Sequence, residues 1–294
     1  MTARHPAPAD LADLVRLPAV LSVPGDVLAG ASLAVDDRRL PARAAALASA
    51  SCLLYLGGMA LNDVADHRID QDERPHRPIP SGRVPLATAT RLGHGLMAAG
   101  LGLSALAGRR SLAVALPLAG AVYAYDFALK DTAAGPAAMA ACRVLDVLLG
   151  ASIGHTRRAA PAAAAVGLHT YALTTVSRHE TTGDRPDVVR GAALAGLAAA
   201  ALTGGTVRRR GRSGGRLLAA APLLAHGALQ ARAAQRAVRT PTPAATQQLV
   251  GTSVLGFVPL QSAVSIACGR RVLGAGLLSL WPVAHRLARR RAVT

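Results

Sequence analysis

Residues 62–70 read NDVADHRID, residues 74–83 read RPHRPIPSGR, and together they form a polar stretch between two long apolar runs. Asp63, Asp66 and Asp70 are spaced i, i+3 and i+7 in this stretch. That spacing predicts a helix with the three carboxylates on one face, because side chains three, four and seven positions apart lie above one another. Three negative charges on one face repel each other unless a cation lies between them.

The residue types in this stretch predict a site for Mg²⁺ and a lipid diphosphate. Mg²⁺ takes oxygen ligands and often joins one or two carboxylates to the phosphate oxygens of a substrate. Arg74, Arg77 and Arg83 suit phosphate oxygens, because a planar guanidinium donates two parallel hydrogen bonds. The acids and arginines follow an apolar run that is long enough to cross a membrane. The alternative is a charged cytoplasmic loop in which acids and arginines only pair with one another.

The same residues resemble a known family. Asn-Asp-x-x-Asp-x-x-x-Asp, followed by Arg-x-x-Arg-Pro-x-x-Ser-Gly, resembles the first signature of the UbiA superfamily of intramembrane prenyltransferases, and residues 62–82 contain both patterns without a mismatch. The resemblance implies an all-α polytopic membrane protein with a bundle of about nine transmembrane helices around a central cavity. It also implies Mg²⁺-dependent transfer of a prenyl group from a polyprenyl diphosphate to an acceptor.

The resemblance assigns the chemistry to Asn62, Asp63, Asp66 and Asp70. The three aspartates are expected to hold Mg²⁺. Asn62 is expected to orient them or to hold a metal-bound water. Arg74 and Arg77 are expected to bind the diphosphate.

Composition and hydropathy patterning predict a membrane protein formed by one domain, residues 1–294. Half of the chain, 51%, is hydrophobic, and the apolar residues are mostly small. Small residues let transmembrane helices approach closely. Ten apolar runs approach the length of roughly 20 residues that crosses a bilayer, and they fall at 15–36, 41–61, 86–108, 111–129, 134–154, 160–178, 188–206, 216–235, 247–267 and 270–288.

The charge pattern predicts membrane topology and argues against a nucleic-acid partner. The net charge is +17, but the arginines form short clusters between apolar runs. Cationic loops mark the cytoplasmic side, which predicts a multi-pass protein of the cell membrane with the 62–85 and 178–190 loops, and the site, facing the cytoplasm. Residues 208–212 are a cationic exception: either one predicted helix is wrong or the cluster lies on the far side. Three cysteines in apolar runs, without a CxxC pair, indicate packing residues.

A second polar stretch, SRHETTGDRPD, occupies residues 177–187. Glu180 and Asp184 are four residues apart and are candidate oxygen ligands. In the superfamily the matching loop holds a second Asp-rich motif, which binds another Mg²⁺ on the same diphosphate. Ser-Arg-x-Glu in place of an Asp-led motif resembles the EboC-like branch. The resemblance therefore adds both acids to the predicted metal ligands and Arg178 to the diphosphate-binding residues, whereas the alternative is a surface loop in which Arg178 pairs with Glu180.

Two further cations are candidates for the diphosphate site. Lys130 ends a Tyr-x-x-x-Leu-Lys pattern that also resembles the superfamily, although a lysine between two spans can instead extend toward lipid headgroups. Arg143 lies inside the fifth apolar run, three residues before Asp146. Charged residues within a membrane face a cavity or a partner. The alternatives are an Arg143–Asp146 ion pair, or an Arg143 that faces the diphosphate and is oriented by Asp146.

The acceptor cannot be identified from these residues: an aromatic ring or another small polar or lipid acceptor fits the resemblance equally. A UbiA-type terpene cyclase acting on a prenyl diphosphate is one alternative function. A membrane transporter or a non-catalytic scaffold is the other, because Arg143 and Asp146 lie at membrane depth. Asp26 and Gln261 also lie in apolar runs, and no role is assigned to either.

Overall fold

The computed structural model describes residues 6–37, 39–183, 185–211 and 213–291, and all the regular structure in these ranges is helical. The helices are α1 (Pro8–Leu14), α2 (Pro24–Ala34), α3 (Ala42–Ala65), α4 (His67–Glu73), α5 (Leu86–Ala107), α6 (Arg109–Ala124), α7 (Gly135–Ala151), α8 (Ala160–Ser177), α9 (Pro186–Arg210), α10 (Ser213–Arg239), α11 (Pro243–Leu255), α12 (Phe257–Ala267) and α13 (Arg271–Arg291). Short 3₁₀ turns cover Leu17–Ser22 and Thr156–Ala159, and a π-helical segment, Tyr125–Leu129, extends α6.

The predicted all-α fold is confirmed, and each of the ten apolar runs is helical in the structure. Within the described ranges, four helical stretches are long and apolar enough to cross a membrane by length and composition: Ala42–Ala65, Arg109–Leu129, Pro186–Arg210 and Pro243–Ala267. Pro24 interrupts the first apolar run: the 3₁₀ turn ends at Ser22 and α2 starts at Pro24, where a missing N–H costs nothing because the first helical turn leaves its N–H groups unpaired.

The helices pack mainly against their neighbours in sequence, and α12 returns to pack against α2. The backbones of α2 and α7 also approach each other closely. A Cβ on Gly30 would collide with the Val147 carbonyl oxygen, and a Cβ on Gly150 would collide with that of Val27. Small residues thus let two backbones touch where larger side chains would separate them.

A cavity of about 90 Å³ lies between α3, α6 and α7. Most of its wall is apolar, and its polar residues include Tyr55, Asp126, Arg143 and Asp146. Because Asp126 lies in the π-helical segment beside the end of α3, the cavity adjoins the acidic stretch at one end of the bundle.

Candidate functional site

The first acidic stretch lies at the junction of α3 and α4. Asp66 is the residue between the two helices, yet helical hydrogen bonding continues through it. The Asp66 N–H donates to the Asn62 carbonyl at 3.0 Å, and the Asp70 N–H donates to the Asp66 carbonyl at 2.9 Å. The junction therefore keeps Asp63 and Asp70 on the same side, as the spacing predicted, although one continuous helix does not form.

Asp63 and Asp70 share one cation. Arg77 Nη1 lies 2.5 Å from Asp70 Oδ2 and 3.4 Å from Asp63 Oδ1. Arg74 Nη1 contributes a longer contact, 3.5 Å from Asp70 Oδ1. Both carboxylates are buried, and buried carboxylates require a charge partner or hydrogen bonds. The acids and arginines of this stretch therefore form one cluster.

Arg16 also belongs to this cluster, and sequence reasoning missed it. Its Nη2 lies 3.0 Å from Asp63 Oδ1, across 47 positions of the chain. Its backbone is left-handed, with φ of +48°. No spacing rule links residues so far apart. The one available signal is its position at the start of the first apolar run, where a cation meets the membrane boundary.

The π-helical segment directs two more polar residues at the end of α3. The Lys130 ammonium is paired with the Asp66 carboxylate. Asn62 Nδ2 donates to Asp126 Oδ1 at 3.1 Å, while Asp126 Oδ2 is buried and has no hydrogen-bond partner among the described residues. Widened π-helical turns are frequent at functional sites. Lys130 therefore lies at the predicted site, and Asp126, which sequence reasoning left without a role, lies there too.

The second polar stretch approaches the same end of the bundle. Arg178 donates to the carbonyl oxygens of Thr132 at 2.6 Å and Asp131 at 3.2 Å, in the turn that follows Lys130. The alternative Arg178–Glu180 pair is wrong for this structure. Glu180 is half-buried, and its carboxylate forms no salt bridge within the described part of the chain. The other predicted ligand of this stretch, Asp184, lies outside the described residues.

Arg143 is held away from the acidic cluster. Its Nε lies 2.8 Å from Asp26 Oδ2, and its guanidinium stacks 4.1 Å above the Phe257 ring. Gln261 Nε2 donates to Asp26 Oδ1 at 2.7 Å and to the Ser22 carbonyl at 3.0 Å. Of the two alternatives for Arg143, the ion pair with Asp146 does not form, because the partner of Arg143 is Asp26. Asp26 and Gln261, which had no assigned role, are its neighbours in one buried network.

Arg83, the third arginine whose type suits phosphate oxygens, binds α1 in this structure. Its Nη1 lies 2.9 Å from Asp10 Oδ1 and its Nη2 lies 3.0 Å from Asp13 Oδ2. These hydrogen bonds raise the pKa of the Arg83 guanidinium above its ordinary value. Arg83 also donates to the His76 carbonyl at 2.9 Å.

The carboxylates at the α3–α4 junction are suitable oxygen ligands for a divalent cation, although Asp63, Asp66 and Asp70 do not all face one point. Among the described residues, no three acidic, histidine or cysteine side chains lie close enough together to hold a metal ion. Asp63 and Asp70 face one cationic nitrogen, whereas Asp66 faces Lys130. Asp63 and Asp70 are buried and already face one positive atom, so they supply two of the hard oxygen donors that Mg²⁺ prefers.

These features define an all-helical membrane protein with a carboxylate and cation cluster at one end of its helix bundle. The chain belongs to the UbiA prenyltransferase family, whose sequence profile matches residues 26–231. This confirms the family resemblance on which the predicted fold depends.

Two relatives are digeranylgeranylglyceryl phosphate synthases. The chain is 50% identical to that of Metallosphaera sedula over 80 residues, which is 27% of this chain and 28% of the relative. It is 37% identical to that of Methanopyrus kandleri over 110 residues, which is 37% of this chain and 38% of the relative. The matched segments thus span well under half the length of either relative.

Solved structures share the fold. A digeranylgeranylglyceryl phosphate synthase studied in membranes superposes with a TM-score of 0.67 at 16% identity, covering 88% of this chain and 98% of that one. A UbiA homologue from Archaeoglobus fulgidus bound to GPP and Mg²⁺ gives 0.63 at 13% identity, covering 87% and 99%. An apo UbiA homologue from Aeropyrum pernix gives 0.65 at 19% identity, covering 84% and 96%.

Proposed function

We propose that this chain transfers a prenyl group from a polyprenyl diphosphate to a glycerol phosphate lipid within the membrane. The observation that carries the proposal is the cluster at the α3–α4 junction. Buried Asp63 and Asp70 converge on Arg77, and Asp66 and Lys130 pair beside them, next to a largely apolar cavity. Acids for a metal and cations for phosphate, at the end of a membrane bundle, match the chemistry of a lipid diphosphate.

Asp63, Asp66 and Asp70 would hold Mg²⁺, with Asn62 orienting them, and Glu180 and Asp184 are proposed to hold a second ion. Bound Mg²⁺ would stabilise the negative charge that develops on the departing diphosphate. The A. fulgidus homologue with GPP and Mg²⁺ supports this part of the proposal.

The cations of the cluster have a second task in this proposal. Arg16, Arg77 and Lys130 now neutralise the acids, and Arg74 lies at the exposed edge. Each would bind diphosphate oxygens when the acids hold a metal. Arg178 would bind diphosphate oxygens from the neighbouring loop, where it contacts the turn after Lys130.

Arg143 fits a different task from the one predicted. Its buried contacts with Asp26 and Phe257 compensate its charge, which favours a structural role in the cavity wall over a diphosphate contact. The apolar part of that wall would keep water from the allylic cation formed as the carbon–oxygen bond to diphosphate breaks. An acceptor hydroxyl would then bond to C1 and lose its proton.

The acceptor is proposed from the relatives, whose name denotes a glyceryl phosphate bearing two geranylgeranyl chains. The test is to incubate purified protein and Mg²⁺ with labelled geranyl, farnesyl and geranylgeranyl diphosphates, each with a prenylglyceryl phosphate or with an aromatic acceptor. We expect a product whose mass equals the lipid phosphate plus one prenyl group. Prenylation of the aromatic acceptor alone would refute the lipid acceptor, and a cyclised hydrocarbon formed without acceptor would support the terpene cyclase instead.

The site is proposed to face the cytoplasm, because the arginine-rich 62–85 and 178–190 loops lie at this end of the bundle. Labelling of a cysteine introduced at exposed Ser81 with a membrane-impermeant reagent tests this orientation. Labelling of inverted vesicles but not intact cells is the expected result.

A further inference from the structure

The segment before the first membrane helix is bound to the acidic stretch at two points. Arg83 closes the RPHRPIPSGR sequence and binds Asp10 and Asp13, which are one turn apart on α1. Each terminal nitrogen of one guanidinium thus pairs with a different carboxylate, and both bonds are charge-assisted. Arg83 is 73 positions from Asp10 and 70 positions from Asp13.

The second point of attachment is Arg16, two residues after α1 ends at Leu14. Among the described residues, Arg16 is the one non-glycine residue with a positive φ. A left-handed backbone is unfavourable for such a residue and persists where surrounding contacts determine it. The contacts here are the Arg16–Asp63 ion pair and the fully buried side chain of Leu14, which packs with Ala60 and Val84.

A seven-residue helix has little stability of its own, so its position depends on what it contacts. Leu14 fixes the apolar side of α1, and Arg83 fixes its acidic side. Together these contacts set where the chain emerges from α1, and hence where the Arg16 guanidinium lies relative to Asp63. The Arg83 contact therefore acts at a distance on the cluster at the α3–α4 junction.

We propose that residues 8–16 form a strap that places Arg16 at the diphosphate site, and that Asp10 and Asp13 are positioning residues that act through Arg83. The inference rests on the proposed function, since it assigns Arg16 to diphosphate binding. In this account Arg83 binds no phosphate. Arg83 holds α1 in place, and α1 in turn keeps the Arg16 guanidinium beside Asp63, the acid that would hold the metal.

The test compares Arg83→Ala and the Asp10→Asn, Asp13→Asn double variant with wild type. We expect a rise of about fivefold in KM for farnesyl diphosphate, with kcat changed by less than about twofold, because exposed ion pairs contribute modestly. Combining all three substitutions should add little to the rise in KM, because each set of substitutions already removes the Arg83 pairs with Asp10 and Asp13. Arg158→Ala is the matched control: it removes an Arg–Asp pair, 2.6 Å to Asp36, at the opposite end of the bundle, and should leave KM unchanged.

A second measurement needs no substrate or metal. Hydrogen–deuterium exchange of the residue 8–16 amides should accelerate in both strap variants and stay at the wild-type rate in Arg158→Ala. Exchanging the charges, with Asp13→Arg and Arg83→Asp in an Asp10→Asn background, should restore slow exchange and most of the wild-type KM.

The outcomes separate the strap from the proposed function. Faster exchange with an unchanged KM would overturn the positioning role, since α1 would then be only an attached helix. Unchanged exchange would overturn the strap itself. If wild type released no diphosphate, the proposed function would fail. The strap would then be decided by exchange and by the dissociation constant of inorganic diphosphate, which Arg83→Ala should raise about fivefold.

Discussion

The molecule has two clusters in which acids and cations meet, and they differ in burial. At the α3–α4 junction, Arg16 and Arg74 remain 36% and 48% exposed while they pair with buried aspartates, whereas Arg77 and Lys130 are 18% and 14% exposed. In the bundle interior, Asp26 is fully buried, Arg143 is 12% exposed, and Gln261 completes the network. Partly exposed cations can exchange partners at low cost, whereas a buried pair cannot separate without leaving a charge uncompensated. We therefore expect ligand exchange at the first cluster and structural support from the second.

The largest expected effect comes from removing an acid of the junction cluster. Asp63→Ala and Asp66→Ala should each lower diphosphate release roughly a thousandfold, because metal-assisted departure of the leaving group contributes several kcal/mol. Expression and membrane insertion should stay normal. Turnover is measured with purified proteins and Mg²⁺. Near-normal rates in both variants would show that Asp63 and Asp66 hold no catalytic metal.

Substitutions in the interior cluster should lower the stability of the protein. Arg143→Met leaves the Asp26 carboxylate buried without its cation, and we expect a loss of about 3 kcal/mol of unfolding free energy. Adding Asp26→Asn removes the stranded charge and should restore most of that loss. Thermal denaturation in detergent measures both. If Arg143→Met unfolded like wild type but no longer bound prenyl diphosphate, Arg143 would belong with the junction cluster.

A graded effect is expected at Glu180, which lies beside the junction cluster without a salt bridge in the described residues. Glu180→Ala should lower turnover by about tenfold, less than Asp63→Ala, and Glu180→Gln should be nearly as damaging, because the amide loses the negative oxygen that Mg²⁺ prefers. Higher Mg²⁺ should partly restore both variants. Mg²⁺ titrations that superimpose on the wild-type curve would show that Glu180 is no ligand.

The smallest effect is expected at the exposed Asp36–Arg158 pair, far from both clusters. The hydrogen bond from Arg158 lowers the pKa of Asp36. A carboxyl group whose pKa is lowered on folding adds stability above its unfolded pKa of roughly 4, and the gain disappears as pH falls through the folded pKa. Arg158→Ala should therefore lower the melting temperature slightly at pH 7 and not at pH 2. An equal loss at both pH values would assign the effect to packing.

Sequence reasoning identified the helices and the first motif because both depend on local patterns. Apolar runs of membrane length specify helices, and the i, i+3, i+7 spacing placed Asp63 and Asp70 on one side even though the helix changes at Asp66. Partners brought together by tertiary packing could not be identified this way. The Arg143–Asp26 pair spans more than 100 positions, whereas the alternative of an Arg143–Asp146 pair considered only neighbours on one helix.

The candidate site shows the same limit. Spacing identified Arg83 as a cation near the acids, but it carried no information on which acid Arg83 meets, and the partners proved to be Asp10 and Asp13. Arg16 was missed for the same reason. Lys130 was found because a family pattern marks it, whereas Asp126, four residues earlier in the same segment, has no such mark.

The most direct test of the central claim is the rate of diphosphate release from geranylgeranyl diphosphate by the wild-type protein as Mg²⁺ is titrated. The account predicts saturable release that requires Mg²⁺, stops when EDTA is added, and is matched by prenyl transfer when the glycerol phosphate lipid is present. Release at the same rate in excess EDTA, or no release at any Mg²⁺ concentration, would contradict it.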